Sequence, residues 1–409
     1  MLQTVEENDP ARSGDWLSAR DAAALLGVSV ATLYSYVSRD RLHPRPVPGT
    51  RAKRYRRDEV QRLVQRHAGA REPRRVAEAA LNHGLPVLAS SLSLIEHGRL
   101  HYRGLDALEL AGHATIEDVA ALLWDLPRDR WTDAALVTPR LRSTRPAAAS
   151  PTAVLHAFHR VAATQKPAEP MAELSTSDDA SAAWQWVQAM QTAVTGRAPR
   201  PRAAAVHVQI AAAWKLDADA AEAVRHALVL CADHELNASS FTSRCVAGTG
   251  ASLPAAVGGA LAALTGPAHG GMTERIEAWW TALDDLPRTA RATDAWLAAR
   301  PQPPGFGHPL YPAGDPRGRA LLERLPRDAR RDRLVAAMAE RTGLAPVLDF
   351  GLVAMRRALG APRGAAFGLF AVARTVGWIG HALEQRRSGV LIRPRAAYVG
   401  PRPGAPGAS

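Results

Sequence analysis

From residue 181 toward the end of the chain, the sequence runs as apolar, helix-patterned segments separated by short turns containing Gly and Pro. AAWQWVQAMQTAV, VHVQIAAAWKL, DAAEAVRHALVLCADHEL and PAAVGGALAALTG follow one another in this way. Strand-like alternation is scarce outside 91–102, so the expected fold class is mainly α. Gly258 and Gly259 lie inside one apolar segment and predict a close approach between two helices. With 409 residues, two or more domains and a sizeable core are expected.

The turns carry the chemistry. DHELNASSF (233–241), GPAHGG (266–271), GFGHPLYPAGDPR (305–317) and PVLDF (346–350) bring His234, His269, His308, Arg317 and Asp349 to short breaks between long segments. Side chains at the rim of a rigid scaffold are well placed for binding and catalysis. This set suits proton removal beside a carbonyl: a carboxylate takes the proton, one neutral imidazole stabilises the enol oxygen, a second polarises the acceptor, and arginine holds carboxylates. Each residue also has a plainer reading. A histidine in a Gly-rich turn is usually a hydrogen-bonded turn residue, and Asp349 near Pro346 reads equally as a helix N-terminal acid or as a partly desolvated base.

Cys231 and Cys245 are the only cysteines, which argues against a disulfide framework or a metal cluster and fits a reducing cytoplasm. No apolar run reaches the ~18 residues of a membrane helix, and the polar start MLQTVEENDP is no signal peptide. No metal and no membrane partner is therefore expected. The net charge of +12 is nearly all arginine, since Lys53, Lys166 and Lys215 are the only lysines. Local clusters are accordingly more informative than the total.

One such cluster lies near the start. Residues 1–13 and 401–409 have the composition of disordered tails, and 14–67 form a separate unit. Ser18 with Asp21 opens a helix through Ala22, Ala23, Leu25 and Leu26; Gly27 turns the chain; Ser29 caps a second helix reaching Asp40. Leu33 and Val37 face its core, leaving Val30, Ala31, Tyr34 and Ser35 outward. A basic hairpin-like stretch, TRAKRYRRDEV, precedes a third helix that begins with Asp58 and Glu59. The unit resembles the winged helix-turn-helix of MerR-like and excisionase-like proteins. That resemblance implies a second helix in the major groove of duplex DNA and Arg51, Lys53, Arg54, Arg56 and Arg57 on phosphates. The plainer alternative is a helical appendage with a solvated basic face.

After a linker over 68–82, residues 83–400 resemble the citrate synthase family, on the four motifs above taken in order and at their separations. SLSLIEHGRLHYRG (91–104) is similar to the family's opening hairpin, GHATIEDVAALLW (112–124) to the helix after it, and LFAVARTVGWIGHALEQ with IRPRAAYVG to its closing helix and tail. The resemblance implies a large helical domain with a smaller one over about 270–352 that closes on substrate. It also implies that oxaloacetate and acetyl-CoA condense to citrate and CoA, as in the tricarboxylic acid cycle, with acetyl-CoA a co-substrate and no cofactor. Asp349 would abstract the α-proton, His269 donate to the thioester oxygen, and His308 polarise the ketone. His234, Arg317 and Arg374 would bind the keto-diacid, and Arg393 would reach a neighbouring subunit's site, implying a homodimer.

Met272 and Thr273 follow GPAHGG, Pro309 and Pro312 stand near His308, and Gly351-Leu352 follow Asp349-Phe350, where the family usually has other residues. These departures spare the condensing groups and remove expected contacts to CoA. Three functions follow: a citrate-synthase-type acyltransferase with an ancillary DNA-binding unit, a DNA-binding regulator that senses these metabolites, and a 2-methylcitrate synthase using propionyl-CoA.

Overall fold

The structure, a computed structural model, describes residues 16–26, 28–38, 42–47, 50, 52–57, 59–60, 88–126, 150–165, 177–199, 205–300, 303–396 and 398–399. The chain divides into two compact units, Met1–Ala89 with Arg395–Ser409, and Ser90–Pro394.

In the first unit, β1 (Trp16–Ser18), α1 (Ala19–Leu26), α2 (Val30–Ser38), β2 (Arg45–Pro46) and β3 (Lys53–Arg56) follow in order. The backbone N–H of Asp21 donates to the Ser18 hydroxyl (3.2 Å), and that of Thr32 to the Ser29 hydroxyl (3.1 Å), so both helices are capped as their sequences predict. β3 is the central strand of an antiparallel sheet, with Leu17 opposite Tyr55, Arg45 opposite Arg54 and Pro46 opposite Lys53. The hairpin thus begins at Arg45, earlier than the basic stretch itself.

Strand alternation turns Tyr55 inward onto Leu17, Ala22, Leu33 and Leu42 and Arg54 and Arg56 outward, while Lys53 is exposed at the start of the strand. Val30, Ala31 and Tyr34 face outward as expected, and Leu25 on α1 is exposed as well. Gly27, Asp40, Arg51, Asp58, the 68–82 linker and both predicted tails lie outside the described residues.

The second unit opens with β4 (Ser93–Glu96), β5 (Arg99–Tyr102) and β6 (Leu105–Asp106), an antiparallel sheet. Among the described residues it is otherwise helical: α3 (Ala107–His113), α4 (Ile116–Trp124), α5 (Pro151–Ala163), α6 (Ser177–Thr195), α7 (Val206–Trp214), α8 (Ala218–Cys231), α9 (Ala238–Ala247), α10 (Leu253–Leu264), α11 (Met272–Asp284), α12 (Ala290–Ala298), α13 (Pro316–Glu323), α14 (Ala329–Thr342), α15 (Leu348–Ala358) and α16 (Ala365–Ser388). Ser150 caps α5 and Pro151 takes its first turn, where a missing N–H costs nothing.

The unit is built around α16, which packs against α4, α6, α8, α9, α10 and α15. By length and composition α16 could cross a membrane, contrary to the expectation that no such run exists. Its apolar window is wholly buried inside the protein, as a helix apolar on all sides must be when it forms a core. Trp124 of α4 donates its Nε1–H to the Val376 carbonyl of α16 at 2.9 Å. The predicted close approach at Gly258 is real, since a Cβ there would stand 2.9 Å from His159 of α5.

Candidate active site

α16 and α8 meet where the motif turns converge. Beyond the end of α8, Asp233 pairs with His381 of α16 (3.2 Å) and accepts from the Ser93 hydroxyl on β4, which pins the loop carrying His234. His234 is buried, its Nε2 lies 2.9 Å from the Tyr311 hydroxyl, and its ring meets that of His308 edge-on at 5.4 Å. Burial, reinforced by the Arg317 and Arg374 guanidiniums, holds its pKa well below the ordinary value, so the ring is neutral.

His269 sits in the turn between α10 and α11. That turn is too tight for side chains at its end: a Cβ on Gly271 would lie 2.3 Å from the Thr265 carbonyl. The Nε2 of His269 is 2.8 Å from Ser239 Oγ. Asn237 caps α9, and its Oδ1 already accepts the Ser239 and Ser240 backbone N–H groups (3.1 Å each), while Trp378 Nε1 donates to Ser239 Oγ at 3.0 Å. The Ser239 hydroxyl donates to Asn237 Oδ1 (2.7 Å) and lies against His269 Nε2. Burial, with Arg374 behind it, lowers the His269 pKa to about 4, so this imidazole stays neutral and can act as a hydrogen-bond donor.

The His308 loop is tied to the Asp349 segment. Gly307 N–H donates to the Ala345 carbonyl (2.9 Å), Val347 N–H to the Gly305 carbonyl (3.0 Å), and Phe306 bridges Pro346. His308 Nδ1 accepts the Leu310 N–H at 3.1 Å, which puts the proton of the neutral ring on Nε2.

Arg317 is gripped by Asp315, its Nε to Oδ1 (3.0 Å) and Nη2 to Oδ2 (2.9 Å). Asp315 also caps α13 and accepts the Leu348 N–H at 3.0 Å, so one buried carboxylate positions the arginine and the segment bearing Asp349. Burial opposes the charge on Arg317, but Asp315 more than offsets it and raises its pKa.

Asp349 occupies the first turn of α15, as the reading of it as a helix N-terminal acid expects. Its Oδ1 is sealed without a hydrogen-bond partner, and part of the residue remains open to solvent. Burial pushes its carboxyl up to about 7 against the pull of Arg317. Arg374, in the middle of α16, is buried with Nε on the Cys231 carbonyl (2.8 Å), and among the described residues no carboxylate is hydrogen-bonded to it. Burial lowers its pKa, partly countered by Asp233.

Six of the seven expected residues therefore share one neighbourhood: two buried guanidiniums, three imidazoles and one carboxyl near its midpoint at neutral pH. Such a set can bind a small dianion and move a proton beside it. Arg393 is not among them; it lies exposed on the segment after α16 and makes no hydrogen bond or ion pair among the described residues. Ser239, Asn237, Tyr311, Asp315 and Asp233 are the contributors that sequence reasoning missed. The Asp-Pro-Arg run, an N-cap followed by Pro at the first helical position, was the available signal for Asp315. Arg54 and Arg56 share the outward face of β3, Lys53 is exposed at its start, and Arg57 lies just beyond it.

Comparison with known proteins gives a consistent account. Residues 81–395 match the family described as citrate synthase, C-terminal domain, and residues 16–68 match a helix-turn-helix domain. A 2-methylcitrate synthase of Mycobacterium tuberculosis is 30% identical over 334 residues, 74% of this chain and 84% of that protein. Citrate synthase 2 of Bacillus subtilis is 35% identical over 190 residues, 44% of this chain and 51% of its own length. The chain spans about half the length of several such curated relatives. In structure, citrate synthase from Pyrobaculum aerophilum superposes with a TM-score of 0.61 at 26% identity, covering 78% of this chain and 91% of that one. Citrate synthase from Thermoplasma acidophilum, in ternary complex with carboxymethyl coenzyme A and oxaloacetate, gives 0.65 at 22%, covering 78% and 95%.

Proposed function

Since the chain belongs to the citrate synthase family, we propose that it condenses acetyl-CoA with oxaloacetate to give citrate and CoA. The observation that carries this reading is the Asp349 carboxyl, half protonated near neutrality and one oxygen unpartnered, beside two buried guanidiniums and neutral imidazoles.

Arg317 and Arg374, with His234, hold the two carboxylates of the keto-diacid. Asp349 takes a proton from the thioester α-carbon as neutral His269 donates to the thioester oxygen, giving an enol. The enol carbon attacks the ketone carbon as the enol proton returns to His269, the ketone oxygen takes the His308 Nε2 proton, and the proton held by Asp349 restores that of His308. Water then cleaves the thioester and releases CoA. An unactivated thioester α-proton is so weakly acidic that base and donor must act together, in a site from which water is excluded. Arg393, exposed in the single chain, completes the site of a second subunit. Closure of a smaller domain over about 270–352 assembles the acyl-CoA side after the diacid has bound.

A second reading, 2-methylcitrate synthesis from propionyl-CoA, is favoured by the relative of that name, which matches over most of its length. One methylene is worth only ~1–3 kcal/mol of discrimination, so both acyl donors need testing. Thiol release from acetyl-CoA and from propionyl-CoA is measured with and without oxaloacetate. Release that requires oxaloacetate is the expected result, and the faster donor names the product. No release from either, with oxaloacetate still bound, would leave a metabolite sensor.

A further inference from the structure

A cleft of about 230 Å³ opens where the C-terminal ends of α11 and α15 meet the start of α14. Five guanidiniums line it: Arg288, Arg330, Arg331, Arg356 and Arg357. The neighbouring carboxylates do not fully answer them. Glu277 is shared by Arg356 (2.8 Å) and Arg357 (2.6 Å), Asp284 is bonded to Arg357, and Asp332 takes Arg331 at 3.0 Å. Asp328 spends one oxygen capping α14. Four carboxylates thus stand against five guanidiniums.

The decisive group is Arg330. It is 7% exposed, and its Nη2 donates to the carbonyls of Leu286 and Pro287. Its Nε and Nη1 are sealed from solvent and have no hydrogen-bond partner; the nearest acid, Asp284, is 3.6 Å from Nη1, beyond hydrogen-bonding distance. Buried N–H donors of a charged group left unmade are costly, and a native structure satisfies them. Arg288, at the exposed rim, makes no hydrogen bond or ion pair among the described residues.

We infer that this cleft is a binding site for a phosphate or diphosphate group, held by Arg330 in its wall and by Arg288 at the rim. Tetrahedral oxyanions accept several N–H donors at once, which is what converging guanidiniums offer. The site lies at the other end of the helix that carries Asp349, seven residues or roughly 10 Å along it. Trp280 lines the cleft, and its ring stacks on Phe350, next to Asp349, at 5.1 Å. Occupancy is thereby connected to the base through one helix and one ring pair. The ligand is either free phosphate or diphosphate, or the phosphates of a nucleotide.

The test is calorimetric titration of the full chain with pyrophosphate, inorganic phosphate and ATP at constant ionic strength, for wild type, Arg288→Ala and Arg330→Gln. Saturable binding of pyrophosphate at one site per chain is expected, weakened at least tenfold in both variants. ATP binding at the same site identifies a nucleotide, and its failure identifies the free anion. The exposed Arg288→Ala decides the matter if Arg330→Gln does not fold. Absence of saturable binding, equal binding by Arg288→Ala, or complete displacement of pyrophosphate by CoA would overturn the inference. The last result would assign the phosphates to the acyl-CoA itself.

Discussion

Asp349 shows how one side chain answers two constraints. Helix N-termini favour carboxylates, yet burial wins and holds its pKa at about 7. Below the ordinary carboxylate range the folded and unfolded chains are both protonated there. Between that range and about 7 only the folded chain keeps the proton, so this group's contribution to stability is lost as pH rises through the window. Asp349→Asn is expected to abolish CoA release while oxaloacetate still binds, and to be more stable than wild type above pH 7 by up to ~4 kcal/mol. Thiol release, calorimetry and melting curves at pH 5 and 8 check the three parts; turnover equal to wild type would sink the assignment. The acid limb of kcat should rise through about pH 7, where the base becomes ionised.

Ser239, 2.8 Å from His269 Nε2, is expected to act as a positioning residue through His269. Ser239→Ala is expected to lower kcat roughly ten- to a hundredfold, about 1.4–2.8 kcal/mol, with little change in the oxaloacetate KM. A purely structural role would lower the melting temperature and leave kcat. The histidines, Arg317 and Asp349 were legible because turn motifs mark chemistry in the sequence. Ser239, Asp315 and Asp233 were not, because their roles depend on partners 30 to 148 residues away that only folding brings near.

At the scale of elements, helical periodicity identified most of the second unit, and capping residues marked several starts. It failed where burial is not one-sided. α16 is buried along nearly its whole length, so it has no polar face to set its register, and only packing separates it from a membrane span. β2 is two residues long and contains a proline, so its sequence carries no strand signal; pairing with β3 makes it one. Close packing on α16 gives a test. A Cβ on Gly377 would lie 2.4 Å from the Ala232 carbonyl and 2.5 Å from Asp233 Oδ1, in the loop that carries His234. Gly377→Ala is expected to destabilise by ~1–3 kcal/mol, because overpacking exceeds the helix-propensity gain of ~1 kcal/mol. Gly112→Ala, in open space on α3, should keep that gain and be neutral or slightly stabilising. Urea unfolding of both variants measures the contrast, and equal behaviour would mean the loop simply moves aside.

The whole molecule joins a family domain to a helix-turn-helix unit, and both were legible because each carries several independent motifs. What spacing does not encode is whether they act together. The first unit exposes Val30, Ala31 and Tyr34 on α2 and Lys53, Arg54 and Arg56 on β3, an arrangement suited to one helix in a major groove and a ribbon on phosphates. Duplex DNA binding by the full chain is expected, with affinity falling steeply with salt. Replacing Lys53, Arg54 and Arg56 by Gln should reduce the log–log salt slope by roughly 2.7, about 0.9 for each phosphate no longer neutralised. A homodimer would present two such units and favour a pseudo-palindromic site with half-sites one or more helical turns apart. If oxaloacetate or acyl-CoA alters DNA affinity by some factor, DNA must alter ligand affinity by the same factor, because the two bindings are linked equilibria. The measurement is a salt titration of DNA binding with and without both ligands, followed by oxaloacetate titration with and without DNA. Equal factors in the two directions would establish regulation. DNA binding indifferent to ligand would leave an enzyme tethered to DNA. No binding at low salt would reduce the basic ribbon to a solvated face.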